Sequence, residues 1–467
     1  MGFTLSTQVS CPFNHFSPLF LQPIDFFDIF AAINLILNYM RKITIVLVLF
    51  LNLFAGHAQN ATMRIYELIN SSNWFTLAKE YPQLKDSIQY DFVRLMAEAM
   101  IAQNFNREDE ATEMFQTLIN SHQQQIGSNA ALSLTEIILG NYERSGMYSL
   151  AAEKANNLIE QIKSSGAPVD YSNLIEIHKR NKALSKYDST MIICDNTKDM
   201  AIPFTMEKTD TLLFDNQNPV PNRYYIPVTI HGTTHQFMFD TGATITYLSK
   251  RFADFVGVEY IGYSYPNGDL GYLDSLQLGD ITFKNVIVLV RNGTPLDSVC
   301  TIDAVLGMNL VRKLNELRID NKNNQLIFPA KQSKMPEYAP NIVRDASQLL
   351  FVEATDTKGQ LTVLLDSGAE TGFSYHYFTK HRNELSQLRG TKEIVGGTVD
   401  GFHSTMALHV PSVKFSVCNQ ELEMKDVYVP YMKGSSTDWH DISLGIDFFR
   451  QYDYVTLNFK EMFMVIE

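Results

Sequence analysis

The feature that most constrains this chain is a four-block internal repeat across its second half. Phe239-Asp240-Thr241-Gly242-Ala243 and Leu365-Asp366-Ser367-Gly368-Ala369 each close an apolar run, and their aspartates stand 126 positions apart. Phe283-Lys284-Asn285-Val286 then matches Met424-Lys425-Asp426-Val427, and Val305-Leu306-Gly307-Met308-Asn309 matches Ser443-Leu444-Gly445-Ile446-Asp447. Thirteen residues beyond each of these glycines come Asp320 and Asn458. The aspartate-to-glycine interval is 67 residues in one copy and 79 in the other, as expected if only surface loops diverged. An Asp-Ser/Thr-Gly triplet alone arises in roughly one chain in five of this length at average residue usage. Two triplets in register within an ordered repeat imply two related lobes.

Around the triplets the pattern is that of strands. Tyr224 to Ile230 goes out, Gly232 turns, and His235 to Phe239 returns. In the second copy Leu349 to Ala354 goes out, Lys358-Gly359 turns, and Leu361 to Leu365 returns. Each return strand delivers an aspartate at its end, where the sheet fixes its direction. Gly242 and Gly368 let the chain turn sharply and let backbone amides approach the carboxylates. The hydroxyls of Thr241 and Ser367 are placed to hydrogen-bond across to the opposite loop and hold the two copies in register. Gly307 and Gly445, behind these loops, leave room for close backbone contact.

Two carboxylates brought face to face do not both ionise cheaply. One keeps a proton, the other stays charged, and the pair titrates as a unit. The charged member can then take a proton from a water lodged between them while the neutral one donates to a carbonyl oxygen, with no metal and no covalent intermediate. Glu370 stands where Thr244 stands in the first copy, and it is expected to point outward.

On these residues, about 223–467 resemble an aspartic protease of the retropepsin and pepsin clan, and Leu364-Leu365-Asp366-Ser367-Gly368-Ala369-Glu370-Thr371 is especially similar to retropepsins. The resemblance implies an all-β bilobal acid-protease fold with pseudo-two-fold symmetry, with Asp240 and Asp366 as the catalytic dyad and a peptide or protein substrate in a groove between the lobes. It also implies a covering flap between Ile261 and Leu273, for which Tyr263, Tyr265 and Tyr272 are the candidate aromatics. Val395 to Phe402 takes the equivalent place in the second lobe. No cofactor is implied.

The first half differs in texture. From about Asn60 to Lys186 apolar residues recur every three or four positions, while glycine and proline are scarce. Breaks at Asn104–Asn106, Gly127-Ser128 and Ser164–Gly166 divide the run into helical hairpins. This all-α region resembles a tetratricopeptide-like solenoid and offers a surface for a possible protein partner. A generic helical bundle that only stabilises or spaces fits the same pattern.

Upstream, Met40-Arg41-Lys42, the apolar run Ile43–Phe54 and the small residues of Ala55-Gly56-His57-Ala58 have the order of a secretory signal. Residues 1–39 then read as an extension outside the working protein. The expected divisions are 1–39 extension, 40–58 signal peptide, 59–195 helical domain, 203–333 first lobe and 340–467 second lobe. The expected location is secreted or periplasmic, with membrane contact only if the signal stays uncleaved. Cys194, Cys300 and Cys418 are too few for a disulfide framework and have no metal-ligand spacing. His376 and His381 are expected on a solvated surface rather than in a metal site. A net charge of −13 leaves no basic face for nucleic acid. Asn60-Ala61-Thr62 and Asn292-Gly293-Thr294 fit glycosylation sequons. The reading is thus an exported aspartic endopeptidase. The alternative is a non-catalytic bilobal peptide-binding protein with a helical interaction domain.

Overall fold

A computed structural model describes residues 57–166, 169–195, 197–207, 222–266, 268–293, 302–398, 401–433 and 440–467. The extension, the signal segment up to residue 56, most of the polar linker at 216–222, Thr294 of the second sequon and Cys300 lie outside the described residues.

Helices fill the first part: α1 (His57–Asn70), α2 (Trp74–Leu84), α3 (Asp91–Asn104), α4 (Glu108–Arg144), α5 (Tyr148–Ser165) and α6 (Ser172–Leu184). Their ends follow local chemistry. The Asn73 side chain accepts from the Thr76 amide at 3.2 Å and starts α2. Asn106, with φ 61°, turns α3 into α4, and Gly166, with φ 65°, ends α5. Within α4 the chain kinks at His122 and at Gly127, whose φ of 80° is open to glycine. The small residues Ala97, Ala99 and Ala151 are fully buried where helices meet. No helix among the described residues is long and apolar enough to cross a membrane.

The rest is β-rich and repeats itself. In the first lobe the strand Arg223–Ile230 pairs antiparallel with Thr233–Phe239, which runs parallel to Ala304–Leu306. In the second, Leu350–Asp356 pairs with Gly359–Leu365, which runs parallel to Ile442–Leu444. Asn285 and Asp426, equivalent in the repeat, both take a left-handed backbone, with φ of 57° and 53°. A third sheet joins the lobes. Two adjacent inner strands, Glu316–Asp320 and Tyr454–Asn458, are the equivalent last blocks of the repeat, paired antiparallel from Glu316↔Asn458 to Asp320↔Tyr454. Burying equivalent strands against each other puts the pseudo-two-fold axis between them. The molecule is therefore a helical region followed by a β region of two equivalent lobes joined by a third sheet.

The helical region is docked on the second lobe by an ion pair between Lys79 and Glu353 at 2.5 Å and by Arg344, which is 5% exposed and reaches Glu108 at 2.8 Å. Asn106 adds a hydrogen bond to the Phe459 carbonyl at 2.8 Å. One apolar core runs from α1–α4 into both lobes, while α5 and α6 form a smaller core of their own with the end of α4.

Candidate active site

Each triplet sits where its return strand stops being paired. The Asp240 amide donates to the Leu306 carbonyl at 3.4 Å, and the Asp366 amide to that of Leu444 at 3.0 Å. Beyond the turn, the amides of Met308 and Ile446 donate to the Ala243 and Ala369 carbonyls at 2.7 and 2.8 Å. The loops are thus clamped between a parallel strand and the helical turn that follows it, in the same way twice.

Gly307 and Gly445 supply the clearance. A Cβ on Gly307 would lie 2.4 Å from the Ile245 carbonyl carbon, and one on Gly445 would lie 2.2 Å from that of Glu370. The same contacts correct an equivalence: Glu370 corresponds in space to Ile245, not Thr244, because the first-lobe loop carries one extra residue. Beyond it Thr246 and Thr371 play one role. Thr246 accepts the Gly307 amide at 3.1 Å while its own amide meets Asn309, and Thr371 accepts the Gly445 amide at 2.9 Å while its amide meets Asp447. Glu370 itself is exposed.

Across the axis the two loops hold each other. Thr241 donates from its hydroxyl to the Leu365 carbonyl at 3.1 Å and accepts the Ser367 amide at 2.8 Å. The Ser367 hydroxyl accepts the Thr241 amide at 2.9 Å. Both side chains are buried, 1% and 0% exposed, so no water competes for these bonds.

This grip brings the carboxyl groups together. The Gly368 amide lies 3.0 Å from one oxygen of Asp240 and 3.1 Å from one oxygen of Asp366, and the Gly242 amide donates to Asp240 at 2.7 Å. A Cβ on Gly242 would stand 2.5 Å from Asp366, and one on Gly368 would stand 2.5 Å from Asp240, so each carboxylate occupies space the opposite glycine leaves open. Burial raises the pKa of both carboxyls. The neighbouring Asp240 charge raises Asp366 further, whereas hydrogen bonds from the Gly242 amide, Asp366 and the Gly368 amide pull Asp240 back down. The two carboxyls therefore hold one proton between them and titrate as a pair.

Residues 226–310 match the family model described as aspartyl protease. The match spans the first triplet and its glycine block, and the second lobe repeats that geometry. Among solved structures, the chain is similar to a retropepsin-like aspartic protease from Rickettsia conorii, at 24% identity over 30% of this chain and 90% of that one, with a TM-score of 0.19. It is also similar to an aspartic proteinase from Irpex lacteus, at 14% identity over 57% of this chain and 96% of that one, with a TM-score of 0.33. No curated protein matches the chain.

The tyrosines of the first-lobe hairpin contact one another, the helical region and the segment just past it. Tyr263 and Tyr265 pack edge to face at 5.1 Å, and the Tyr263 hydroxyl reaches Glu176 of α6 at 3.3 Å. The Tyr272 ring lies 4.8 Å from that of Tyr187, just past α6, and its hydroxyl reaches Asn285. Among the described residues, no group of histidine, cysteine and acidic side chains could hold a metal ion. His381 is not solvated as its sequence suggests: it is 5% exposed, stacked on Tyr377 at 4.2 Å, with its ring nitrogen 2.8 Å from Asp356. Cys418 is buried and free, and burial pushes its thiol up to about 12.

Proposed function

We propose that this protein is an aspartic endopeptidase working outside the cytoplasm, with Asp240 and Asp366 as its catalytic pair. The observation that carries this reading is the single Gly368 amide within 3.1 Å of both carboxyl groups. Groups so close hold one shared proton, which gives a base and an acid side by side. Asp240, charged and steadied by amides, takes a proton from a water between the two. Asp366, protonated, donates to the oxygen of the scissile carbonyl as the water adds. The tetrahedral carbon then collapses as the amine leaves with a proton returned through the same pair.

Thr241 and Ser367 support the dyad through the cross-axis bonds, and Gly242 and Gly368 leave the carboxylates their space. The substrate in this reading is an extended peptide or unfolded protein lying between the lobes. Export rests on the signal-like order of Met40 to Ala58. The decisive experiment incubates the purified chain with an unstructured protein between pH 3 and 8, beside Asp240→Asn and Asp366→Asn. Cleavage by the wild type alone supports the proposal. Cleavage that survives in either variant, or none at any pH, sinks it.

A further inference from the structure

Helices α5 and α6 close a small core of their own on α4. Leu132 and Leu139 of α4 enter it beside Ala155 and Ile159 of α5 and Leu174 and Ile177 of α6. Glu136 stands four positions after the first of these leucines and three before the second, so the helical period puts it on the same face. It is 9% exposed, and its Oε1 is buried with no hydrogen-bond partner among the described residues. Glu143, seven positions further along α4, shows what an acid at this contact otherwise takes: Arg180 of α6 meets it at 2.8 Å and Asn181 at 2.7 Å. Among the described residues Glu136 has no such cation.

A carboxylate inside an apolar contact without a cation is costly, whereas a neutral carboxylic acid is far less so. We propose that Glu136 is a pH-sensitive latch between α4 and α6: as the neutral acid it lets the two helices close on each other, and as the carboxylate it loosens their contact. Burial pushes its carboxyl up to about 7, against a hydrogen bond from Asn173 of α6, and the charge of Asp170 at the entry to α6 adds to the rise. The other groups at this contact are the Glu143–Arg180 pair and His178 of α6, whose Nδ1 lies 2.9 Å from the Ala152 carbonyl of α5. The remaining charged side chains of α5 and α6 are exposed. A raised carboxyl favours the closed contact fully below the ordinary glutamate value of 4.5, and that contribution is lost as pH rises through about 7. The latch is independent of the peptidase reading.

The test follows amide hydrogen exchange of the full chain between pH 5 and 8, expressed as protection relative to the unfolded chain's own rate at each pH. In the wild type, protection across α6 should fall about ten-fold or more over that range. Glu136→Gln and Glu136→Met should each remove the trend, the second by replacing the acid with an apolar side chain of similar length. His178→Gln should leave the trend in place, and it serves as the control because an imidazole ordinarily titrates in the same range. A flat wild-type profile, a trend that survives in both Glu136 variants, or one that disappears in His178→Gln overturns the proposal.

Discussion

In the first lobe the hairpin strand Gly268–Leu278 is bonded to the neighbouring strand Ile281–Arg291 from Leu278 up to Asp269, close to its tip, and the helical region covers its outer partner. In the second lobe the corresponding strand, Gly401–Val417, meets its far neighbour Gln420–Pro430 only from Ala407 onward, while it pairs with its own hairpin partner from Gly401 to Leu408. Yet the two aspartate loops differ by one inserted residue and little else. The loops touch each other across the axis, so a change in one disturbs both. The hairpins meet different neighbours. What is shared at the centre is held by mutual contact, and what differs is at the rim.

The comparison breaks most visibly at the dyad. Asp240→Asn and Asp366→Asn should each lower kcat about a thousand-fold or more, because neither member acts without the other. A variant that keeps a tenth of wild-type turnover would show that only one lobe carries the chemistry. The glycine blocks come next. Gly307→Ala and Gly445→Ala each drive a methyl into backbone that cannot retreat, and each should cost about 1–3 kcal/mol in urea unfolding or prevent folding. Equal costs would mean that the two clamps are equally rigid, and a cheap substitution in one lobe would mark that loop as the more yielding.

The cross-axis grip gives a finer contrast. Thr241 serves two buried backbone groups, the Leu365 carbonyl and the Ser367 amide, whereas the Ser367 hydroxyl accepts from the Thr241 amide. Thr241→Ala strands both its partners at about 1–3 kcal/mol per group, and Ser367→Ala should cost less. Chemical denaturation of both variants at one pH decides the order. A reversed order would show that the grip leans on the second-lobe hydroxyl.

The central part of this structure is legible in the sequence because its causes are local. A strand end, a carboxylate and a glycine turn occupy adjacent positions, and repeating them twice shows that they belong together. Other features have no local signature. The extra residue in the first loop cannot be placed by counting, since Thr244 and Ile245 are both plausible partners for Glu370 until Gly445 is seen against the Glu370 carbonyl carbon. The docking of helices on lobes depends on side chains such as Lys79 and Glu353, or Glu108 and Arg344, hundreds of positions apart. His381 reads as surface in a polar stretch, yet Tyr377 and Asp356 bury it. The contacts of Tyr263 and Tyr272 with Glu176 and Tyr187 depend on a helical region whose sequence does not announce its partner.

The smallest expected effect separates the two aspartates by pH. A carboxyl whose pKa is raised in the folded state favours folding while it is protonated, fully so below the ordinary carboxylate value of about 3.9, and loses that contribution as pH rises through its folded pKa. Burial raises both carboxyls and the Asp240 charge raises Asp366 further, while amides lower both, so the penalty at neutral pH falls chiefly on ionising Asp366 beside Asp240. Asp366→Asn removes that titration. Its melting temperature relative to wild type should therefore climb as pH increases from 3 to 8, while Asp240→Asn shows a shallower trend. Activity should run the other way in the wild type, rising as Asp240 ionises and falling once Asp366 gives up its proton, a bell with its upper limb set by the second lobe. Parallel melting curves for the two Asn variants would mean that the proton is shared evenly, and that the asymmetry of the rim does not reach the centre.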